Sequence, residues 1–85
     1  MAALKVRFVA RASEDLKTLE AHRKGPPLEP AALRLVVHRL AGAAGLFGYP
    51  EISVLAGEID GALACAQDER RLPELLAQLE SVVRG

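Results

Sequence analysis

The sequence predicts an all-α domain built as an antiparallel up-down four-helix bundle. Three observations predict it. Hydrophobic residues make up 51% of the chain, mostly Leu, Ala and Val, and β-branched residues are scattered, which favours helix. Four stretches carry apolar residues at helical spacing. The Gly- and Pro-bearing breaks between them are short, which makes successive helices antiparallel neighbours.

The first segment runs from about residue 4 to residue 24. At about 100° per residue, Leu4, Phe8, Val9, Ala12, Leu16 and Leu19 fall on one stripe. His22, Arg23 and Lys24 occupy the last turn, where cations suit the helix dipole, and Gly25-Pro26-Pro27 stops it. Ser13, with Glu14 and Asp15 behind it, reads alternatively as the N-cap of a shorter helix; the stripe continues through Ser13 and favours the long one. The second segment, about 30–47, carries Leu33, Val37, Leu40, Ala44 and Phe47, the alternating spacing of a bundle seam. Gly48 suits a left-handed cap and Pro50 the first turn of the next helix. The third segment, about 50–67, repeats the pattern with Ile52, Leu55, Ile59, Leu63 and Ala66. The fourth, about 71–83, uses Leu72, Leu75, Leu76, Leu79 and Val83.

All 85 residues are expected to form one domain, burying roughly 60–65% of the unfolded surface. Eleven basic residues balance eleven acidic ones, so the chain carries no field for a polyanion. With two Phe, one Tyr and no Trp, there is also little for bases to stack on, and nucleic-acid binding is not expected. Cys65 has no partner for a disulfide, and it is expected to be a reduced, partly buried filler near the end of the third helix. Two histidines and one cysteine make no metal set. The longest uncharged run, Leu40 to Pro50, falls well short of the about 20 residues that span a bilayer, and no secretory signal pattern is present. A soluble domain in a reducing, cytoplasmic setting is expected.

The chemistry concentrates in "HRLAGAAGLFGYP", which begins at His38. With His38 as the zero of the helical wheel, the seam residues lie roughly 100–180° away, so the imidazole points to water. Arg34, Leu35, Ala41, Gly42 and Gly45 lie within about 60° of it. Two interior glycines cost a helix roughly 1–2 kcal/mol together relative to alanine. Close packing on the seam does not explain them, because they face away from it. A partner approaching the helix at the histidine does, with Leu35 and Leu46 supplying apolar contact. A phosphate-binding loop fits poorly. Gly42, Gly45 and Gly48 read G-x-x-G-x-x-G, no G-K-[ST] follows, and the preceding residues form a helical seam, not a strand.

The stretch "HRLAGAAGLFGYPEISVLAGEI" resembles the core of histidine-containing phosphotransfer (HPt) domains of two-component phosphorelays. The family pattern is His-x-Leu-Lys-Gly, then small residues, a glycine, and an apolar helix a few residues later. Here it is met by His38, Leu40, Gly42, Ala43, Ala44 and Gly48, then Ile52 and Leu55. The resemblance implies that His38 accepts a phosphoryl group, through Nε2, from the phospho-aspartate of a receiver domain and passes it to another receiver. It implies receivers and a hybrid histidine kinase as partners, a carrier without independent turnover, and Mg2+ on the receiver, not on this chain. The seams for their part predict a monomeric bundle, with weak self-association through an exposed Leu35–Leu46 patch as the alternative. The family's usual lysine, three residues after the histidine, is here Ala41. Arg34, about 40° from His38 on the wheel, is the expected replacement for its charge, and Arg39, about 100° away, a poorer one. Leu35, Ala41, Gly42, Gly45 and Leu46 form the expected docking surface. The rival reading is a module that docks a receiver or kinase through this face without being phosphorylated.

Other polar residues read as structural. His22 is expected to be an exposed histidine in the charged last turn of its helix. Gly57 and Gly61 fall opposite the third helix's stripe, a face kept thin for a neighbour. Glu51, Glu58 and Asp60 read as a solvated face with no paired carboxylates for acid–base work.

Overall fold

The computed structural model describes residues 2–85, with side chains from residue 6 onwards. Four helices follow in order: α1 (Ala2–Lys24), α2 (Pro30–Leu46), α3 (Pro50–Ala66) and α4 (Leu72–Arg84). One helix runs through Ser13, so no cap forms there. Proline stands in the first turn of α2, α3 and α4, where its missing N–H costs nothing. The α2–α3 corner turns at Gly48, whose φ of +87° is left-handed, the conformation glycine adopts without a Cβ clash. Gln67 ends α3 in the same region at φ 51°, an exit that no glycine announced.

Contacts run around the ring α1–α2–α3–α4 and back from α4 to α1, most extensively in the α2–α3 and α1–α4 pairs. That is the connectivity of an up-down bundle, with a radius of gyration of 12.1 Å. The core is the sum of the four stripes. Phe8, Ala12, Leu16 and Leu19 face Leu33, Val37, Leu40 and Ala44, with Ile52, Leu55, Ile59 and Leu63 and then Leu72, Leu75, Leu76 and Leu79 closing the ring. Phe47 and Val83 are only partly buried against this core, and Val9 is partly buried as well. Ala66, expected on the stripe, is exposed where α3 runs out, and Ala56, which the spacing did not select, is fully buried. Leu4 lies outside the residues whose side chains are described. Phe8 stacks on Tyr49 at 4.5 Å between ring centroids and leans on Phe47 at 6.1 Å, tying α1 to the α2–α3 corner. No helix among the described residues is long and apolar enough to cross a membrane.

Away from the His38 face, the expected roles of His22 and Cys65 are overturned. His22 is buried, not exposed. Its Nδ1 accepts the Leu28 backbone N–H at 2.9 Å, so the ring proton sits on Nε2, which donates to Glu69 Oε1 at 2.8 Å. The α1–α2 and α3–α4 connections fold over this ring, and it joins them. Cys65 is exposed, not a filler, because it lies off the buried side of α3.

Asp15 is the second buried polar residue, and its Oδ2 has no hydrogen-bond partner; Arg11 Nε stands 3.8 Å away. Burial pushes its carboxyl above the ordinary range, against the opposing pull of Arg11 and Arg39. The folded state therefore binds this proton more tightly than the unfolded chain. Stability contributed here falls as pH rises from the ordinary carboxylate range through the raised folded value. Asp15→Asn removes that loss. Thermal melts are expected to show the variant more stable than the parent by a few degrees at pH 7, about 4–8 °C corresponding to each kcal/mol, with the gap closing towards pH 3.5. A gap that is constant with pH would sink this account of Asp15.

Candidate functional site

Arg34 and His38 are one turn apart on α2, so their side chains rise from the same face. Opposite them, Asp60 stands on α3, the helix packed most closely against α2. Its carboxylate takes both: Oδ2 lies 3.0 Å from His38 Nδ1 and Oδ1 lies 3.3 Å from Arg34 Nε. The three side chains grade from covered to open, at 17% exposed for Asp60, 49% for Arg34 and 71% for His38. The His38 hydrogen bond, with Arg34's bond and charge, holds the Asp60 carboxyl below the ordinary carboxylate range in spite of partial burial.

An ionised carboxylate can only accept, so His38 Nδ1 carries the ring proton. In the neutral ring the lone pair then sits on Nε2, which has no partner among the described residues. The two histidines thus differ in kind. His22 has both nitrogens engaged inside the protein, and His38 offers one to solvent. A shallow groove of about 270 Å³ runs beside His38, lined by Ala31, Arg34, Leu35, His38 and Asp60.

The structure divides the site residues expected from sequence. Arg34 shares the site with His38. Arg39 is exposed on the side of α2 where its charge acts on Asp15 of α1. Leu35 and Leu46 are exposed at 52% and 79%. Ala41 is half-buried against the core, so it offers less surface than the wheel suggests. Gly42 and Gly45 are both exposed, yet they have different reasons to be glycine. A Cβ at Gly42 would meet nothing within 4 Å. A Cβ at Gly45 would stand 3.0 Å from Ser53 Oγ, which donates to the Ala41 carbonyl at 2.8 Å, so close packing on α3 does account for this one. Gly57 and Gly61, either side of Asp60 on α3, have open space where a Cβ would be. Sequence reasoning missed Asp60, having read it as part of a solvated face. The available signal was its place between two glycines, Gly57 and Gly61, on a face the wheel had already marked as thin.

Gly42→Ala is expected to raise unfolding stability by roughly 0.5–1 kcal/mol in a denaturant titration, since nothing opposes the added methyl. Gly45→Ala is expected to gain less than Gly42→Ala, because Ser53 must move. Equal gains would mean that Ser53 moves away without cost.

A family model described as the Hpt domain matches residues 3–84, essentially the whole chain. No curated protein and no solved structure matches it.

Proposed function

The chain belongs to the Hpt domain family, whose members carry phosphoryl groups in two-component phosphorelays, and on that premise we propose that His38 is the residue phosphorylated. One observation carries the reading: His38 alone of the two histidines presents a free ring nitrogen, with its other nitrogen held by a carboxylate. The Nε2 lone pair of the neutral imidazole is the nucleophile.

The Nε2 lone pair attacks the phosphorus of a receiver's aspartyl phosphate in line. The Nε2–P bond forms as the P–O bond to the aspartate breaks, and that electron pair leaves with the receiver's carboxylate. No proton has to move. The Nδ1–H stays on the ring, and the positive charge that the ring gains faces Asp60, as a carboxylate faces the imidazolium of a hydrolase triad. Return to a second receiver runs the same step backwards. Phosphoryl transfer asks chiefly for positioning and charge neutralisation. This chain supplies the positioned nitrogen, and Mg2+ is assigned to the receiver. With alanine at position 41, Arg34 is the cation assigned to the phosphoryl oxygens, because its terminal nitrogens are not engaged by Asp60.

Hpt domains work with receiver domains and kinases. The docking face assigned to a receiver is the exposed strip from Leu35 past His38 and Gly42 to Leu46. We assign the carrier to the cytoplasm, as a monomer in its free state. The test mixes the purified domain with phosphorylated receivers and Mg2+. Acid-labile, alkali-stable label on His38 supports the carrier. Tight binding with no label overturns it in favour of a docking module.

A further inference from the structure

We propose that Arg34 is a positioning residue that acts on His38 through Asp60. The inference rests on the phosphocarrier reading and adds a second duty to the one that reading gives Arg34. An aspartate has a single methylene between backbone and carboxylate, and the torsion that turns the carboxylate is broad and roughly two-fold. One hydrogen bond from His38 leaves that rotation loosely held. A second bond to the other oxygen stops it. Arg34 Nε makes that second bond, at 3.3 Å to Oδ1, while His38 Nδ1 sits 3.0 Å from Oδ2.

The placement makes Arg34 the natural brace. Nearby, Gly57 and Gly61 bring no side chains that could hold the carboxylate. The helix spacing of Arg34 and His38 lets both reach over the same acid from α2. With the carboxylate plane set, the ring plane of His38 is set, and the proton is kept on Nδ1. Nε2 is then bare and aimed away from Asp60. Arg34 lines the same groove as His38 and its terminal nitrogens are not engaged by Asp60, so bracing does not withdraw the cation from the phosphoryl group.

The experiment reads the ring before any phosphoryl group is present. Nitrogen-15 spectra of the unphosphorylated protein, taken at a pH above which the His38 ring signals no longer move, report the ratio of its Nδ1–H and Nε2–H tautomers. The wild type is expected to be mainly Nδ1–H. Arg34→Ala is expected to move the ratio at least about threefold towards Nε2–H, and Asp60→Ala at least as far. The double variant should go no further than Asp60→Ala, because the arginine has nothing left to act through. Circular dichroism checks that each variant keeps the bundle, and His22, buried and doubly bonded, serves as the internal reference ring. An unchanged ratio in Arg34→Ala overturns the proposal, and so do effects that add in the double variant. Loss of phosphotransfer with a shifted ratio upholds it, and loss with an unshifted ratio leaves Arg34 as a phosphoryl counter-charge alone. Failure of every protein to take label would sink the carrier reading, and the tautomer ratios would still decide this one.

Discussion

Replacing His38 by glutamine is expected to abolish acid-labile label to the detection limit while the domain melts within about 2–4 °C of wild type. The chemical half follows from the nucleophile: a carboxamide has no basic lone pair to form the N–P bond, and no other described imidazole nitrogen is free. The stability half follows from exposure. The imidazole is 71% exposed and contributes nothing to the core. Glutamine is a good helix former, and its amide can still donate to Asp60. Surface changes of this kind stay within about 0.5 kcal/mol. Receiver affinity should be largely retained, because Leu35, Gly42 and Leu46 are untouched. The measurement pairs label transfer from a phosphorylated receiver with a thermal melt of the same preparation. Label surviving on the variant would move the phosphorylated residue elsewhere. A large drop in melting temperature would mean that His38 holds the fold, contrary to its exposure.

How far these features were legible in the chain depends on whether one helix suffices to read them. Leu33, Val37, Leu40 and Ala44 are buried because a period of about 3.6 places them on one stripe, and that period is present in the sequence. The exposure of His38 follows from the same wheel, as its complement. The Asp60 contact does not. It joins residues 22 apart on two helices, and it depends on the α2–α3 register that the Gly48 turn sets. Gly45 was misread for the same reason. A wheel treats α2 as though it stood alone, and Ser53 reaches it from α3. His22 looked exposed because its sequence neighbours are charged, but two connections from other parts of the chain close over it. Arg39 sits one position from His38 in sequence, yet its charge acts on α1.

Two residues beyond His38, Leu40→Ala should have the opposite profile: a severe loss of stability with chemistry retained in whatever remains folded. Leu40 has no exposed surface and sits at the centre of the α2 seam, among Phe8, Leu19 and the α3 and α4 leucines of one continuous core. Truncation removes buried methyl groups and leaves a cavity, which together cost about 2–5 kcal/mol. An 85-residue domain has on the order of 4–13 kcal/mol to lose, at about 0.05–0.15 kcal/mol per residue. A loss of about 3 kcal/mol lowers the melting temperature by roughly 12–24 °C, since each kcal/mol moves a domain of this size by about 4–8 °C. At low temperature the folded fraction keeps its helices. Leu40 is fully buried in the core and takes no part in the Asp60 hydrogen bond that holds the His38 ring. Label per folded molecule is therefore expected to match wild type, measured at about 10 °C against the folded fraction from circular dichroism. Label that falls further than the folded fraction would show that the α2–α3 register loosens before the bundle melts. The Asp60–His38 contact would then be the first thing a core cavity disturbs.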